Sequence, residues 1–287
     1  MSFRLSNKMP NESRKIEEKI EVKRKYFFVL EGEKTEDIYI RELPNYLRED
    51  ALADIVLLER VESSNSNQFK ITEAISRYLE QSQMISVEQK ERILELCTRF
   101  DEYKINEAEL VDTIQKILGE LAEHFVVDYN ENVIEQVKLL NELRNYEKGF
   151  DKICLILDRD YRSFKSEQFD KVINICNEND FLLGLSNPNF EFYLLLHLTD
   201  ATNSNVNDIA ENRRMSKSKS SRKYTEHLLN EEMRKSGLSY QKKRYDAKFF
   251  LDRFKNVLEY STYYEQDNTC LKEKVGTSVQ NIIKDLI

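Results

Sequence analysis

Apolar residues along this chain follow two rhythms. The first is the short unbroken run: Tyr26-Phe27-Phe28-Val29-Leu30, Ile55-Val56-Leu57-Leu58, Ile153-Cys154-Leu155-Ile156-Leu157 and Phe181-Leu182-Leu183-Gly184-Leu185. Each has strand length, and apolarity that continues rather than alternates predicts a strand covered on both faces, as in a parallel sheet. The stretches between them predict helices at about 35–50, 69–83, 166–179 and 188–197. Thr35 is placed to cap the first, with Glu36 and Asp37 in its opening turn and Pro44 as a bend. Asn187 as cap and Pro188 at the first helical position are expected to open the last. Strands and helices alternating in this order predict an α/β fold, a mostly parallel sheet flanked by helices.

The second rhythm fills residues 86–148. Apolar residues recur there at helical spacing: Ile93, Leu96 and Phe100; Ile114, Ile117, Leu118 and Leu121; Val133, Ile134, Val137, Leu140 and Leu143. Three amphipathic helices are expected, forming an insertion whose stripes are core and carry no chemistry. The organisation that follows is a charged tail with a short helix at 1–24 and the first part of the sheet domain at 25–85. The helical insertion at 86–148 and the second part of the domain, with a basic C-terminal region, at 149–287 complete it.

Composition narrows the class. The chain has 287 residues, 40% of them apolar, enough for a sizeable core. No stretch is apolar for long enough to span a membrane, and the charged opening is unlike a signal peptide. Cys97, Cys154, Cys176 and Cys270 are far apart with no C-x-x-C pair. That argues against a zinc ribbon or a disulfide framework and for a reducing, cytoplasmic setting. None of the six glycines forms a G-x-G-x-x-G or Walker A loop. The net charge is -8, yet residues 213–255 carry 14 Lys/Arg against 5 Asp/Glu. The first part of that segment holds Arg213, Arg214, Lys217, Lys219, Arg222 and Lys223 and no acid. Cations of this kind supply phosphate contacts, so these six are candidate nucleic-acid-binding residues bordering a substrate groove. Tyr224, Tyr240 and Tyr245 are candidates to stack on unpaired bases, whereas Phe249, Phe250 and Phe254 fit a helix core.

In an open α/β sheet, ligands bind beyond the carboxyl ends of the strands. Three predicted strand ends carry acids: Glu31, the pair Asp158 and Asp160, and Glu191. Residues two apart in extended chain point the same way, so Asp158 and Asp160 can face one point while Arg159 faces away. Carboxylates a few ångströms apart repel unless a cation lies between them. Mg²⁺ (or Mn²⁺), a hard ion taking carboxylates, waters and phosphate oxygens, is the expected cofactor. Such an ion can polarise a phosphoryl oxygen and lower the pKa of water, with Glu31 as ligand or general acid/base.

Together, Phe28-Val29-Leu30-Glu31-Gly32-Glu33-Lys34-Thr35-Glu36, Leu155-Ile156-Leu157-Asp158-Arg159-Asp160 and Leu185-Ser186-Asn187-Pro188-Asn189-Phe190-Glu191 resemble the RloB family in that order. The resemblance runs from about Lys25 to the C-terminus, with 86–148 as an insertion. It implies a Toprim-type domain, the metal-binding fold shared by topoisomerases, primases and OLD-type nucleases. By that resemblance Glu31 is the general acid/base and Asp158 and Asp160 are metal ligands. Glu36 and Glu191 match the acids of a second metal, with Glu33 as an alternative to Glu36. Lys242 or Lys243, in Tyr240-Gln241-Lys242-Lys243, matches a lysine near the chemistry, and Gly276-Thr277-Ser278-Val279 matches a later stretch. The implied activity is metal-dependent cleavage of DNA or RNA, tRNA included, in bacterial phage defence. The implied partners are a nucleic-acid substrate and an ATPase encoded nearby, with a second copy of the chain left open.

Each residue also has a plainer structural reading. Acids after strands often mark solvated turns, lysines among serines often form a loose loop, and His197 among leucines reads as a core histidine. Two other functions fit parts of the pattern. One is a non-catalytic sensor or adaptor on the same fold. The other is a haloacid-dehalogenase-type phosphatase with Asp158 as nucleophile, which Arg162 argues against at a position where Thr or Val is usual.

Overall fold

A computed structural model describes residues 23–32, 34–58, 68–121, 143, 146–160, 164–218 and 221–287. Four strands run parallel in the order β2-β1-β3-β4: β1 (Arg24–Leu30), β2 (Ala53–Leu57), β3 (Lys152–Asp158) and β4 (Leu182–Asn187). A two-residue strand, β5 (Gly276–Thr277), pairs antiparallel with the end of β4. The mostly parallel sheet expected from the unbroken apolar runs is therefore present.

Alternate residues of each strand serve opposite faces. Phe27 and Val29 of β1 join Ile153, Leu155 and Leu157 of β3 in one buried cluster. That cluster is closed by α2 (Gln68–Met84), α3 (Val87–Asp101), α4 (Glu107–Leu118) and α5 (Ser166–Asn179). Phe28, Leu30, Cys154 and Ile156 point the other way, into a second cluster. There they meet α1 (Thr35–Glu42), α6 (Phe190–Leu195), α7 (Val206–Glu211), α8 (Tyr224–Lys235), α9 (Ala247–Leu251), α10 (Phe254–Tyr260) and α11 (Val279–Ile283). Both faces being covered is why the strands read as continuous apolar runs.

Two of the three helices expected in 86–148 are α3 and α4. Each starts on a reciprocal capping box, Ser86 with Gln89 and Asn106 with Glu109, which satisfies otherwise orphaned amides. Ile93, Leu96, Leu110 and Ile114 belong to the same buried cluster as β1 and β3. The third stripe, Val133 to Leu140, lies outside the described residues, as does the tail up to residue 22.

Several local expectations are corrected. The first helix ends at Glu42, and Pro44 lies in a 3₁₀ turn, Leu43–Tyr46, because proline has no amide to continue an α-helix. Its cap position is Lys34, so Thr35 is already helical. The strand expected at 181–185 extends through Asn187, since Ser186 pairs with both Asp158 and Thr277. Asn187 is therefore no helix cap. Its Nδ2 donates to the carbonyls of Leu271 (2.9 Å) and Lys274 (2.8 Å), its peptide bond to Pro188 is cis, and the cap position falls to Asn189. His197 is a core residue as expected: Nδ1 donates to the Tyr193 carbonyl, Nε2 accepts from Tyr39 Oη, and burial pushes its pKa down to about 3.

The segment Gly276-Thr277-Ser278 clamps the end of β4. Thr277 Oγ1 lies 3.0 Å from Ser186 Oγ, and the Leu185 amide donates to Ser278 Oγ at 2.9 Å. Gly276 also passes Glu265 so closely that a Cβ would stand 1.9 Å from its carbonyl oxygen. Gly276→Ala is expected to lower stability by about 1–3 kcal/mol, the cost of overpacking rigid backbone. Equilibrium urea unfolding checks this, and an unchanged midpoint contradicts the close contact.

Candidate active site

The chain runs from β1 to β2 on one side and later returns to place β3 on the other. The crevice between β1 and β3 is thus the point where strand order reverses, the usual ligand position in open α/β sheets. Glu31 and Asp158 stand at its two lips. The Glu31 amide donates to the Ile156 carbonyl (3.1 Å), extending the pairing of β1 by one residue. The Glu31 carboxylate then reaches across the crevice. Its Oε2 accepts the Asp158 amide at 2.8 Å, and its Oε1 accepts Nε2 of Gln68 at 2.8 Å. Gln68, fully buried at the start of α2, also donates to the Asp158 carbonyl at 3.3 Å. Both oxygens of Glu31 are held, and its orientation is fixed before any ligand arrives.

Three further acids complete the rim. Asp158 Oδ1 accepts the amide of Phe190, the first residue of α6, at 2.7 Å. Glu36 is buried in the first turn of α1, with its carboxylate tucked against Gly32, where a Cβ would lie 2.2 Å from Oε2. A glycine after Glu31 is what leaves Glu36 that space. Glu191, also buried, receives Lys242 Nζ at 2.7 Å, Tyr240 Oη at 3.3 Å and Nδ2 of Asn189.

Burial and mutual repulsion set the charge state of these groups. Burial pushes the Glu36 pKa up to about 7, aided by the charges of Glu191 and Glu31 and opposed by its own backbone amide and Lys242. Part of Asp158 touches solvent, but protein packs closely around its carboxyl. Its pKa is held well above the ordinary value, by that desolvation first and then by Glu31, Glu36 and Glu191. Burial alone would lower the Lys242 pKa. The charge and hydrogen bond of Glu191, with Glu226 and Asp158, outweigh it and keep the ammonium protonated.

Asp160 takes a different place from Asp158. The carboxylates acting most strongly on Asp158 are Glu31, Glu36 and Glu191, while Asp160 Oδ2 lies 3.9 Å from Lys223 Nζ beside an open cavity of about 580 Å³. Arg159 between them does face away: its buried guanidinium donates to the carbonyls of Lys272 and Phe164 and lies over the Phe169 ring.

Described residues at the two ends of the basic segment pair with each other. Arg214 and Lys223 form an antiparallel bridge, and the Met215 amide donates to the Arg222 carbonyl at 2.9 Å. Arg213, Arg214 and Lys223 line the cavity, with Arg213 paired to Glu211 at 2.8 Å. Arg222 turns inward, its Nη2 donating to the Tyr240 carbonyl at 3.4 Å. Lys217 is exposed and Lys219 lies outside the described residues, while Lys243 is exposed next to Lys242. Tyr240 is fully buried against Glu191, which rules out the base-stacking role expected for it. Tyr245 is half-buried and donates to the Thr35 carbonyl at 2.6 Å.

The donors at the rim are carboxylate oxygens, the chemistry of a hard divalent ion such as Mg²⁺ or Mn²⁺. Among the described residues, no three Asp, Glu, His or Cys side chains are drawn together as a complete cage. An ion held by one or two carboxylates and otherwise by water needs no such cage, so the residues fit Mg²⁺ in that partly hydrated mode.

Fold and site define an α/β protein with a cluster of acids at the switch point of its sheet. The family model described as RloB-like protein matches residues 26–286, nearly the whole chain, and the chain belongs to that family. No curated protein and no solved structure matched it.

The raised pKa of Glu36 gives a prediction with a definite sign. Below about 4.5 the group is protonated in both folded and unfolded chains and has no effect on stability. Between 4.5 and about 7 only the unfolded chain ionises, so stability falls as pH rises and then levels off. Glu36→Gln should therefore stabilise the metal-free protein above pH 7, by up to about 3 kcal/mol, and make no difference at pH 4. Chemical denaturation in chelator at several pH values measures this. A stabilisation independent of pH would contradict the assignment.

Proposed function

We propose that this protein is a metal-dependent nuclease of Toprim type that hydrolyses phosphodiester bonds in DNA or RNA as the effector of a bacterial phage-defence system. The observation that carries this reading is the delivery of Glu31 to the Asp158 amide, with Glu36 and Glu191 crowded around them. Four acids costly to keep together are intelligible as half of a site whose other half is a divalent cation and a phosphate. Further support is the ordered row of cations next to Asp160.

In this reading Asp158 and Glu191 would hold the ion, and Glu36 would add its carboxylate once it loses its proton. A bound Mg²⁺ or Mn²⁺ supplies charge to a phosphoryl oxygen and acidity to a bound water. Glu31, oriented by the Asp158 amide and Gln68, would take a proton from water at the scissile phosphate. Lys242, half-exposed and protonated, neutralises Glu191 in the metal-free chain and can contact a phosphate oxygen in the complex. Asp160 lies on the substrate side of the site, with Arg213, Arg214 and Lys223 as phosphate contacts that fix register.

The test is incubation of purified protein with DNA and RNA panels under Mg²⁺, Mn²⁺ or chelator, alone and with any ATPase encoded beside it. Cleavage is expected with metal only. Asp158→Ala and Glu31→Gln are each expected to slow it by about 100-fold or more, with unchanged circular dichroism. Full activity in chelator or in Asp158→Ala would exclude the mechanism. Substrate binding without cleavage under every metal condition would favour the sensor or adaptor role instead.

A further inference from the structure

The cavity beside Asp160 has features that a generic phosphate groove does not require. Its volume, about 580 Å³, lies in the range of small-ligand pockets. Pro188 and Ala210 give it apolar wall, while the acids Asp160 and Glu211 and the cations Arg159, Arg213, Arg214 and Lys223 give it charge of both signs. The walls are also held in place. Asn212 Oδ1 accepts the Thr225 amide (3.1 Å) and hydroxyl (3.0 Å), which ties α7 to α8 at the cavity edge. Arg214 and Lys223 are fixed by their bridge, and Arg214 Nη1 donates to the Ser221 carbonyl at 2.6 Å.

A pocket with apolar wall, cations and the Asp160 carboxylate, its other acid Glu211 being paired with Arg213, matches the parts of one nucleotide. The phosphate suits the cations, the planar base suits the apolar wall, and a base or sugar donor suits the carboxylate. A base pair within a duplex cannot enter a cavity of this size without opening. We infer that this pocket lodges one unpaired nucleotide of the substrate next to the acid cluster, which makes the preferred substrate single-stranded or looped nucleic acid. The inference rests on the nuclease reading for its substrate but predicts binding, a separate readout. It also gives Arg213, Arg214 and Lys223 a selective role: these three cations line the place of one nucleotide.

The experiment is fluorescence anisotropy with the wild-type chain in chelator. The probes are a short labelled single strand and a duplex of the same sequence, each as DNA and as RNA, with AMP and dAMP as competitors. The single strand is expected to bind at least about tenfold more tightly than the duplex, and the mononucleotides to compete with it. Ala210→Phe, which fills the pocket, and Arg214→Ala, which removes a rim cation, should each weaken single-strand binding by about tenfold and weaken duplex binding less, so that the preference for the single strand narrows. Should Ala210→Phe not fold, Arg214→Ala carries the test. Equal affinity for the two forms, no competition by mononucleotides, or a folded Arg214→Ala with unaltered discrimination overturns the pocket. Metal-dependent cleavage without strand discrimination removes this inference and leaves the nuclease reading standing. Discrimination without cleavage does the reverse.

Discussion

Repulsion among carboxylates is the constraint on which this structure turns. Glu31 with Glu36, Asp158, and Glu191 come from three segments far apart in the chain, yet the fold collects them at one end of the sheet. Folding does not gain from that arrangement in itself. Each acid loses solvation and meets like charge, and two of them respond with raised pKa values. Lys242 on Glu191, the Asp158 amide and Gln68 on Glu31, and the Phe190 amide on Asp158 are the compensations that make the cluster tolerable. In the metal-free protein these hydrogen bonds and one lysine offset the repulsion, at positions a divalent cation could take over.

The sheet supplies the rigidity that such a cluster demands. Parallel strands end on the same side, so β1, β3 and β4 direct the residues after them to one rim. Apolar cover on both faces leaves those strand ends little freedom to splay. The C-terminal region completes the rim: β5 closes the end of β4, and the stretch containing Tyr240 and Lys242 reaches back onto Glu191. That is why the two later family-like stretches, Tyr240-Gln241-Lys242-Lys243 and Gly276-Thr277-Ser278-Val279, belong with the earlier three. One neutralises the acids and the other fixes the strand that presents them.

Much of this was legible in the sequence because its signal is local. An unbroken run such as Ile153 to Leu157 reports a strand buried on both faces wherever it occurs, and Glu31 and Asp158 are conspicuous directly after such runs. What could not be read depends on partners distant in the chain. Asn187 looks like a helix cap next to proline, and only the carbonyls of Leu271 and Lys274 reveal it as a strand residue. Gln68 carries no local mark at all, since its role exists only once α2 meets the ends of β1 and β3. Tyr240 resembles a stacking aromatic within a basic stretch until the fold buries it against Glu191. Of the D-x-D pair, Asp158 interacts with Glu31, Glu36 and Glu191, and Asp160 lines the adjoining cavity near Lys223.

The central claim is that a divalent cation belongs where these acids meet. A crystal structure of the chain grown with Mn²⁺ and recorded at the manganese absorption edge tests it most directly. The account predicts an anomalous peak at the crevice between β1 and β3, within coordination distance of Asp158 and at least one of Glu31, Glu36 and Glu191, with Lys242 drawn off Glu191. Manganese bound only elsewhere, or a crevice in which Lys242 still caps Glu191 at saturating Mn²⁺, would contradict it.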